Sequence, residues 1–489
     1  MKTIYIYIAC LLTSIGASSC KKFLDEKPIS VSTDETFWKN ESDANTAVAS
    51  GYALLRKSLN GPDGVAFYAY GDLPTDEYTT TQNRFSDVSN INWSISVPAA
   101  ETGDRMMMLR RYDTFYRTID QVNRCIQRIP GIADTEFTSP NLKNNLIGEA
   151  YFLRAFNYFY MARIWGDIPL VLNSGNIIDA VDLTRTSQTE ILDQCIKDLT
   201  TAISLLSWEY PAANNRAVRA NKGAAYALLA HLYAWKGDYA NCNITAGSLL
   251  NQNYYEYVDR NNFLDIFAGK STEGIFEISQ SEVNEGTLSG ISAFTLKAPY
   301  LSTRTENAFF TLNNSTLTRL YNGNADDLRF SKGFALLGTT DPICIKYSNI
   351  SYINGQNVVT PVAHNNIIIF RLADLKLLKA EALAALNEFP AARILLNEVR
   401  QKSGLNNWTG TDANLFAGII DERGRELFLE GHRYYDLIRL ARKTGTLQFG
   451  ESKMTKTDFD NGKYYWPLDP ALMYINKKLT QTPFWSSKM

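Results

Sequence analysis

NKGAAYALLAHLYAWKGDYANCNITAGSLLNQ, from Asn221 to Gln252, contains two helical patterns joined at KGDY. Gly237 can end the first helix and Asp238 can cap the second, so the stretch reads as a helical hairpin. Ala224, Ala225 and Ala230 are small enough to let the two helices approach closely. KLLKAEALAALNEFPAARILLNEVRQKSG, Lys376–Gly404, repeats the layout, with a turn at NEFP and Pro390 at the start of its second helix. Both resemble tetratricopeptide units of about 34 residues.

Further helices follow from the same periodicity. One is expected over Ser42–Ser58. Another is expected over Met107–Ile129, with Tyr112, Phe115, Tyr116, Ile119, Val122 and Ile126 at three- and four-residue steps and Pro130 and Gly131 as the stop. SQTEILDQCIKDLTTAISLL opens with Ser187 and Glu190 in capping-box spacing and then places Leu192, Ile196, Leu199, Ile203 and Leu206 on one face. The two tetratricopeptide-like units are separated by residues 254–366, a stretch rich in Gly, Asn, Ser and Thr with strand-like runs at GIFEIS and NIIIF. That is too long for a plain connection, so a structured insertion is expected. A second loop-rich stretch runs from Gly61 to Asp104. Long irregular segments on a helical frame are where binding is usually found.

The chain has 489 residues, 45% of them hydrophobic, enough to bury about three quarters of the unfolded surface. A formal net charge of -2 excludes a field that would steer the protein onto nucleic acid. At the N-terminus, Lys2 and the apolar run Ile4–Ala17 form an export signal too short to span a bilayer. The sequence ASSC that follows, ending at Cys20, resembles a lipobox. Residues 1–19 then read as a lipoprotein signal peptide, Cys20 as the lipidation site, residues 20–40 as lipidated N-terminus and tether, and 41–489 as one domain with parts at about 41–253 and 254–489. Cys125, Cys195, Cys242 and Cys344 match no zinc or redox spacing, which leaves free thiols and disulfides both open.

ERGRELFLEGHRYYDLIRLAR, Glu422–Arg442, concentrates charge. At helical spacing Glu422, Glu426 and Glu430 form one stripe near Arg425 and Arg433, a geometry for ion pairing with neighbouring helices. No nucleophile and no metal spacing accompanies it, and His231, His364 and His432 show no HExxH arrangement, so the stretch reads as a structural clasp. It closely resembles the C-terminal signature of SusD-like (RagB/SusD) lipoproteins. EAYFLRAFNYFYMARIWGDIPLV (Glu149–Val171, with Arg154 central), LTRLYNGNADDLRF, RLADLKLLKAEAL, EVRQKSGL and YYWPLDPALMYINKKLTQTPFW match further motifs of that family in order.

The resemblance implies a mainly α fold, with four tetratricopeptide-like hairpins as scaffold and a loop-rich, low-strand ligand-binding region. It also implies a lipid-anchored protein on the outer face of the outer membrane that binds polysaccharide or oligosaccharide, delivers it to a SusC-like TonB-dependent transporter, and performs no covalent chemistry. The alternatives are a receptor for non-glycan cargo such as peptides, and a tetratricopeptide scaffold that binds no ligand. Sugar binding needs aromatic faces beside carboxylates, amides or arginines. Family members place an aspartate, an arginine and a tryptophan of the site in the segment that here reads FYAYGDLPTDEYTTTQNRFSDVSNINWSI. The carry-over is Asp72 or Asp76, Arg84 and Trp93, joined by Tyr300 from ISAFTLKAPYLSTRTENAFF, which also offers Phe294 and Arg304. No cofactor is expected. A structural calcium in Asn- and Asp-rich turns such as NGNADD, Asn322–Asp327, stays open beside the ordinary-turn reading.

Overall fold

A computed structural model describes residues 37–80, 83–93, 105–175, 183–210, 212–280, 290–354, 359–449 and 453–488. The signal, Cys20 and most of the tether lie outside the described residues.

Among the described residues ten long helices form the frame: α1 (Glu41–Asn60), α2 (Asp113–Arg128), α3 (Pro140–Trp165), α4 (Gln188–Leu205), α5 (Lys222–Lys236), α6 (Tyr239–Leu250), α7 (Leu372–Ala385), α8 (Phe389–Lys402), α9 (Leu415–Glu426) and α10 (Arg433–Thr444). Helices account for 57% of residues and strands for 7%, so the fold is mainly α as expected. Local chemistry sets the boundaries. Asn40 and Asp43 cap α1 reciprocally, the Ser187/Glu190 box opens α4, and Asp238 accepts from Asn241 N at the start of α6. Gly237, in the left-handed region at φ 76°, ends α5.

Consecutive helices pack in order as four hairpins, α1–α2, α3–α4, α5–α6 and α7–α8. Although 121 residues separate Leu250 from Leu372 in sequence, α6 packs directly against α7. Two expectations about helix extent need correcting. The helix expected from Met107 starts at Asp113. Arg105–Arg110 forms a 3₁₀ segment instead, and Arg110 at its end is buried against Asp469 (3.0 Å), a contact no local pattern signals. The stripe Glu422–Glu426–Glu430 does not lie on one helix either. The chain breaks between α9 and α10, where Leu429 (φ 57°) and Gly431 (φ 75°) turn it.

Among the described residues, the insertion and the first loop-rich stretch supply eight short strands in four two-stranded antiparallel sheets. These are β1 (Tyr78–Thr80) with β3 (Phe310–Leu312), β2 (Gly274–Ile278) with β8 (Ile367–Arg371), β4 (Phe334–Ala335) with β5 (Ile343–Cys344), and β6 (Ile350–Asn354) with β7 (Val359–Ala363). The two predicted strand runs, GIFEIS and NIIIF, therefore pair with each other. The four cysteines are free and buried.

Glu277 is the polar exception in the buried strand β2. Its Oε2 accepts from Lys270 N (2.8 Å) and Asn366 Nδ2 (2.9 Å), while Oε1 has no hydrogen-bond partner. Burial pushes its carboxyl up to about 7, against the pull of those two donors. The folded value lies above the unfolded one, so its stabilising contribution is complete below about pH 4.3 and is lost as the pH rises to about 7. Glu277→Gln is therefore expected to gain on the wild type by roughly 3 kcal/mol between about pH 4.5 and 7.5, since each tenfold difference in proton affinity between the folded and unfolded chains is worth about 1.4 kcal/mol. Urea midpoints of the two proteins across that window check this, and a gap that does not change with pH would refute it.

Candidate functional site

The clasp fixes how the loop-rich regions sit on the frame. Glu422, Glu426, Glu430 and Asp436 are all buried. Glu426 is ringed by Arg260 (2.9 Å), Arg371 (2.7 Å) and Arg329 (3.0 Å). Arg371, at the end of β8, also reaches Glu273 (2.7 Å) and Glu430 (2.7 Å), and Lys346 Nζ donates to Glu430 Oε1 (2.7 Å). Arg423 and Arg439 bind Asp436, and Arg439 also binds Glu381. Every carboxylate of the clasp is thus paired, and the partners come from the insertion and from the frame. This is the structural reading of the stretch. The break between α9 and α10 is what lets Glu430 face Arg371 and Lys346.

The residues carried over for ligand binding separate into two groups. Asp72 is 1% exposed and accepts from Gly431 N (2.8 Å) through Oδ2. Burial lifts its carboxyl well above the usual range, and the nearby Glu430 adds to the effect. Asp72 thus locks the first loop-rich stretch to the α9–α10 turn and offers nothing to a ligand. Gly71 backs the same contact, since a Cβ there would lie 2.2 Å from Gly431 O. Trp93 is 0% exposed; it stacks on Trp466 (centroids 4.1 Å apart, planes 14°), lies beside Trp485 at 5.9 Å, and its Nε1 donates to Val88 O (3.2 Å). A tryptophan with its ring covered cannot present a face to a sugar, so the platform role expected of Trp93 is corrected to core packing.

Asp76 is half-buried and bridges Arg319 (2.6 Å) and Arg433 (3.5 Å). Burial favours its protonation, but the two guanidinium groups outweigh that and hold the carboxyl below its ordinary value. It ties Arg319 of the insertion to α10 rather than standing free. The side chain of Arg84 lies outside the described residues. Tyr300 is half-buried on a small apolar cluster of Leu296, Leu301, Ala308, Ile343 and Ile345, separate from the main core.

Around Tyr300 the tertiary structure assembles what the sequence leaves apart. Strand β1 pairs with β3 through Tyr78↔Leu312 and Thr80↔Phe310, which joins the two loop-rich regions directly. Behind the seam, Phe85 meets Phe294 (5.2 Å) and Phe310 (4.8 Å) edge-on, so Phe294 is buried core and not a ligand contact. In front, Phe309 is half-buried, with the Arg304 guanidinium 3.7 Å over its ring and Arg304 Nη2 donating to Ala293 O (3.0 Å). Ser302 N donates to Tyr352 OH (3.0 Å), so the β6–β7 hairpin leans on the same turn. Tyr300, Arg304, Phe309 and Tyr352 are thus partly exposed side chains on neighbouring segments of the insertion, linked by the Arg304–Phe309 stack and the Ser302–Tyr352 hydrogen bond. Phe309 and Tyr352 were missed by sequence reasoning, because only burial distinguishes them from the chain's other aromatics.

Two other places have the donor types of an ion site. His231, Asp374 and His432 bring ligand atoms within 4.8 Å of one another. Asp374, however, is bound to His231 Nε2 (2.8 Å) and to Arg423 (2.9 Å), and His432 Nε2 faces Ile369 O at 3.1 Å. A guanidinium on the carboxylate and a ring nitrogen spent on a carbonyl make this a hydrogen-bonded network. Burial holds the His432 imidazole down to about 4, which keeps it neutral. In NGNADD, Asn322 adopts the left-handed conformation that ends the helix Asn314–Tyr321, and Asp327 is committed to Arg329 (2.8 Å).

Two family models match the chain, one described as starch-binding associating with outer membrane over residues 22–234 and one described as SusD family over residues 338–485. The chain belongs to the SusD-like family. Several SusD-like relatives align over nine tenths or more of the chain. SusD-like protein P38 of Formosa agariphila is 28% identical, covering 96% of this chain and 97% of that protein. The starch-binding protein SusD of Bacteroides thetaiotaomicron is 25% identical over 90% of this chain and 91% of its own. The crystal structure of a SusD homolog from Bacteroides thetaiotaomicron superposes with a TM-score of 0.79 at 26% identity, covering 91% of this chain and 98% of that one. The SusD-like frame of paired helices with a loop-rich insertion is therefore shared along nearly its whole length.

Proposed function

We propose that this protein is a cell-surface glycan-binding lipoprotein. It captures polysaccharide or oligosaccharide and passes it to a SusC-like TonB-dependent transporter, held on the outer face of the outer membrane by lipid on Cys20. The observation that carries the reading is the set of partly exposed aromatic and guanidinium side chains, Tyr300, Arg304, Phe309 and Tyr352, on the loop-rich insertion of a SusD-like frame. Flat rings cover the apolar face of a pyranose, and a guanidinium fixed over one ring donates to its hydroxyl edge. The name of the starch-binding relative and the outer-membrane wording of the matched family model support it from outside the chain. Among the described residues no helix is long and apolar enough to cross a membrane. An acylated Cys20 would provide attachment, at about 0.8 kcal/mol per buried methylene.

Capture needs no bond making. The clasp carboxylates are spent on buried arginines, and these side chains offer stacking and hydrogen-bond donors. Binding with no release of reducing sugar is the expected behaviour. The test is a screen of the soluble protein, begun after Cys20, against plant, host and microbial polysaccharides, with isothermal titration of each hit. Tyr300→Ala and Phe309→Ala are each expected to weaken a hit about ten-fold, the loss of one stacking contact of roughly 1–1.5 kcal/mol, with little change in melting temperature. Unchanged affinity in both variants would remove these side chains as the site. Silence across the panel would favour non-glycan cargo or a scaffold, which copurification with the transporter would then separate.

A further inference from the structure

Glu77 stands immediately before β1, and its backbone carbonyl accepts from Asn313 N (2.9 Å), immediately after β3. It is therefore rooted in the β1–β3 seam that joins the two loop-rich regions. Its side chain is 0% exposed, and neither carboxyl oxygen has a hydrogen-bond partner among the described residues. The buried acids of the clasp each meet a cation, as Glu426 meets Arg329 and Glu430 meets Arg371. The cations around Glu77 are already engaged. Arg433 of α10 is shared between Asp76 (3.5 Å) and Asp421 (3.9 Å). Lys346 spends its three N–H donors on Glu430 Oε1 (2.7 Å), Glu426 O (3.1 Å) and Phe428 O (2.8 Å). The other titratable neighbours bring no positive charge. Asp72 and Asp76, on the same stretch, are acids. The Tyr78 hydroxyl has no partner, Tyr321 donates to Arg425 O (2.7 Å), and Cys344 of β5 is a buried thiol.

An ionised carboxylate without a partner is costly to bury, and the neutral acid costs far less. Asp72 at least accepts from Gly431 N (2.8 Å), so of these two acids Glu77 is the one that gains nothing by ionising. Burial accordingly pushes the Glu77 carboxyl well above the usual range; a charge on Asp72 adds to this, and Arg433 and Lys346 oppose it without reversing it. The folded value thus exceeds the unfolded one of about 4.3, and the contribution of Glu77 is complete in acid and is lost as the pH rises through the folded value. We propose that Glu77 is a proton-dependent latch on the β1–β3 seam: with its proton it packs as a neutral side chain, and once the proton passes to solvent the unpaired charge opens the seam. Strand β3 follows directly on Phe309, so an open seam frees the segment that carries one of the aromatic side chains assigned to the glycan. That consequence rests on the glycan reading, whereas the latch itself does not.

Hydrogen–deuterium exchange tests the latch without any ligand, because amide exchange reads local opening element by element. Protein begun after Cys20 is followed by mass spectrometry from about pH 5 to 9, a range that includes the value of roughly 8–9 reached by other fully buried glutamates. Glu77→Gln keeps the shape and cannot ionise, so the ratio of wild-type to variant rates at each pH cancels the intrinsic pH dependence of exchange. Glu77→Met, equally unable to ionise, takes its place if the glutamine variant does not fold. For the amides of Tyr78–Thr80 and Phe310–Leu312 the ratio is expected to be flat in acid and then to rise about ten-fold per pH unit once Glu77 titrates, while the amides of α5 and α6 show no rise. A seam ratio that stays flat across the whole range overturns the proposal. So does an equal rise in α5 and α6, since the charge would then lower the stability of the whole molecule and open no seam.

Discussion

Glu426→Gln is expected to destabilise the protein by about 3–5 kcal/mol, the usual cost of removing one partner from a buried ion pair. The substitution keeps the shape and deletes the charge at a carboxylate that three arginines share, Arg260, Arg371 and Arg329. Each arginine keeps another acid: Glu273 for Arg260, Glu273 and Glu430 for Arg371, and Asp327 and Glu422 for Arg329. The network therefore loosens without collapsing, and guanidinium chloride midpoints followed by circular dichroism would read the loss. Burial disfavours the charged form of Glu426, yet the three guanidiniums overcome this and hold its carboxyl well below the usual range. Its contribution is thus complete above the unfolded value of about 4.3 and is lost as the pH falls toward the folded value. The gap between variant and wild type should accordingly close in acid. Glycan affinity at 25 °C, where the variant is still folded, should be nearly unchanged. A full-strength midpoint with lost binding would make the clasp part of the site instead.

Trp93→Ala should cost a similar amount, about 3–5 kcal/mol, through the void left by a fully buried aromatic ring. The ring is enclosed by Trp466, Trp485 and Tyr434, all from the C-terminal part of the chain. Losing it should unpin that part from the first loop-rich stretch. Trp93→Phe refills part of the space and should recover about half of the loss. Calorimetric melting of the two variants measures both effects, and titration with a glycan hit below their melting temperatures separates stability from binding. Affinity retained within about two-fold is the expected outcome for a core residue. A folded Trp93→Phe that no longer binds would return Trp93 to the site.

These two residues show where sequence reasoning stops. Trp93 sits in a segment rich in aspartate, arginine and asparagine, the composition of a sugar site, and nothing within ten residues reveals that Trp466 and Trp485 cover it. Asp72 reads in the same way until Gly431 is found donating to it from 359 residues away. Tyr300, by contrast, stays on the surface where its loop-rich context placed it. The clasp was legible as an ion-pairing element because its acids and arginines recur at helical spacing. Its break was not, because a non-glycine residue at φ 57° such as Leu429 leaves no local trace.

The sequence by itself determined the helical hairpins, their caps and turns, and membership of the SusD-like family. Those features rest on contacts within a few residues: Ser187 with Glu190, Asp238 with Asn241, and Gly237 in a conformation other residues avoid. Only the tertiary structure decided which aromatics are covered and which face solvent, which carboxylates the buried arginines consume, and that α6 abuts α7 across the insertion. The physical reason is that burial and charge pairing are set by groups brought together from distant parts of the chain, and a local pattern carries no record of what will cover it.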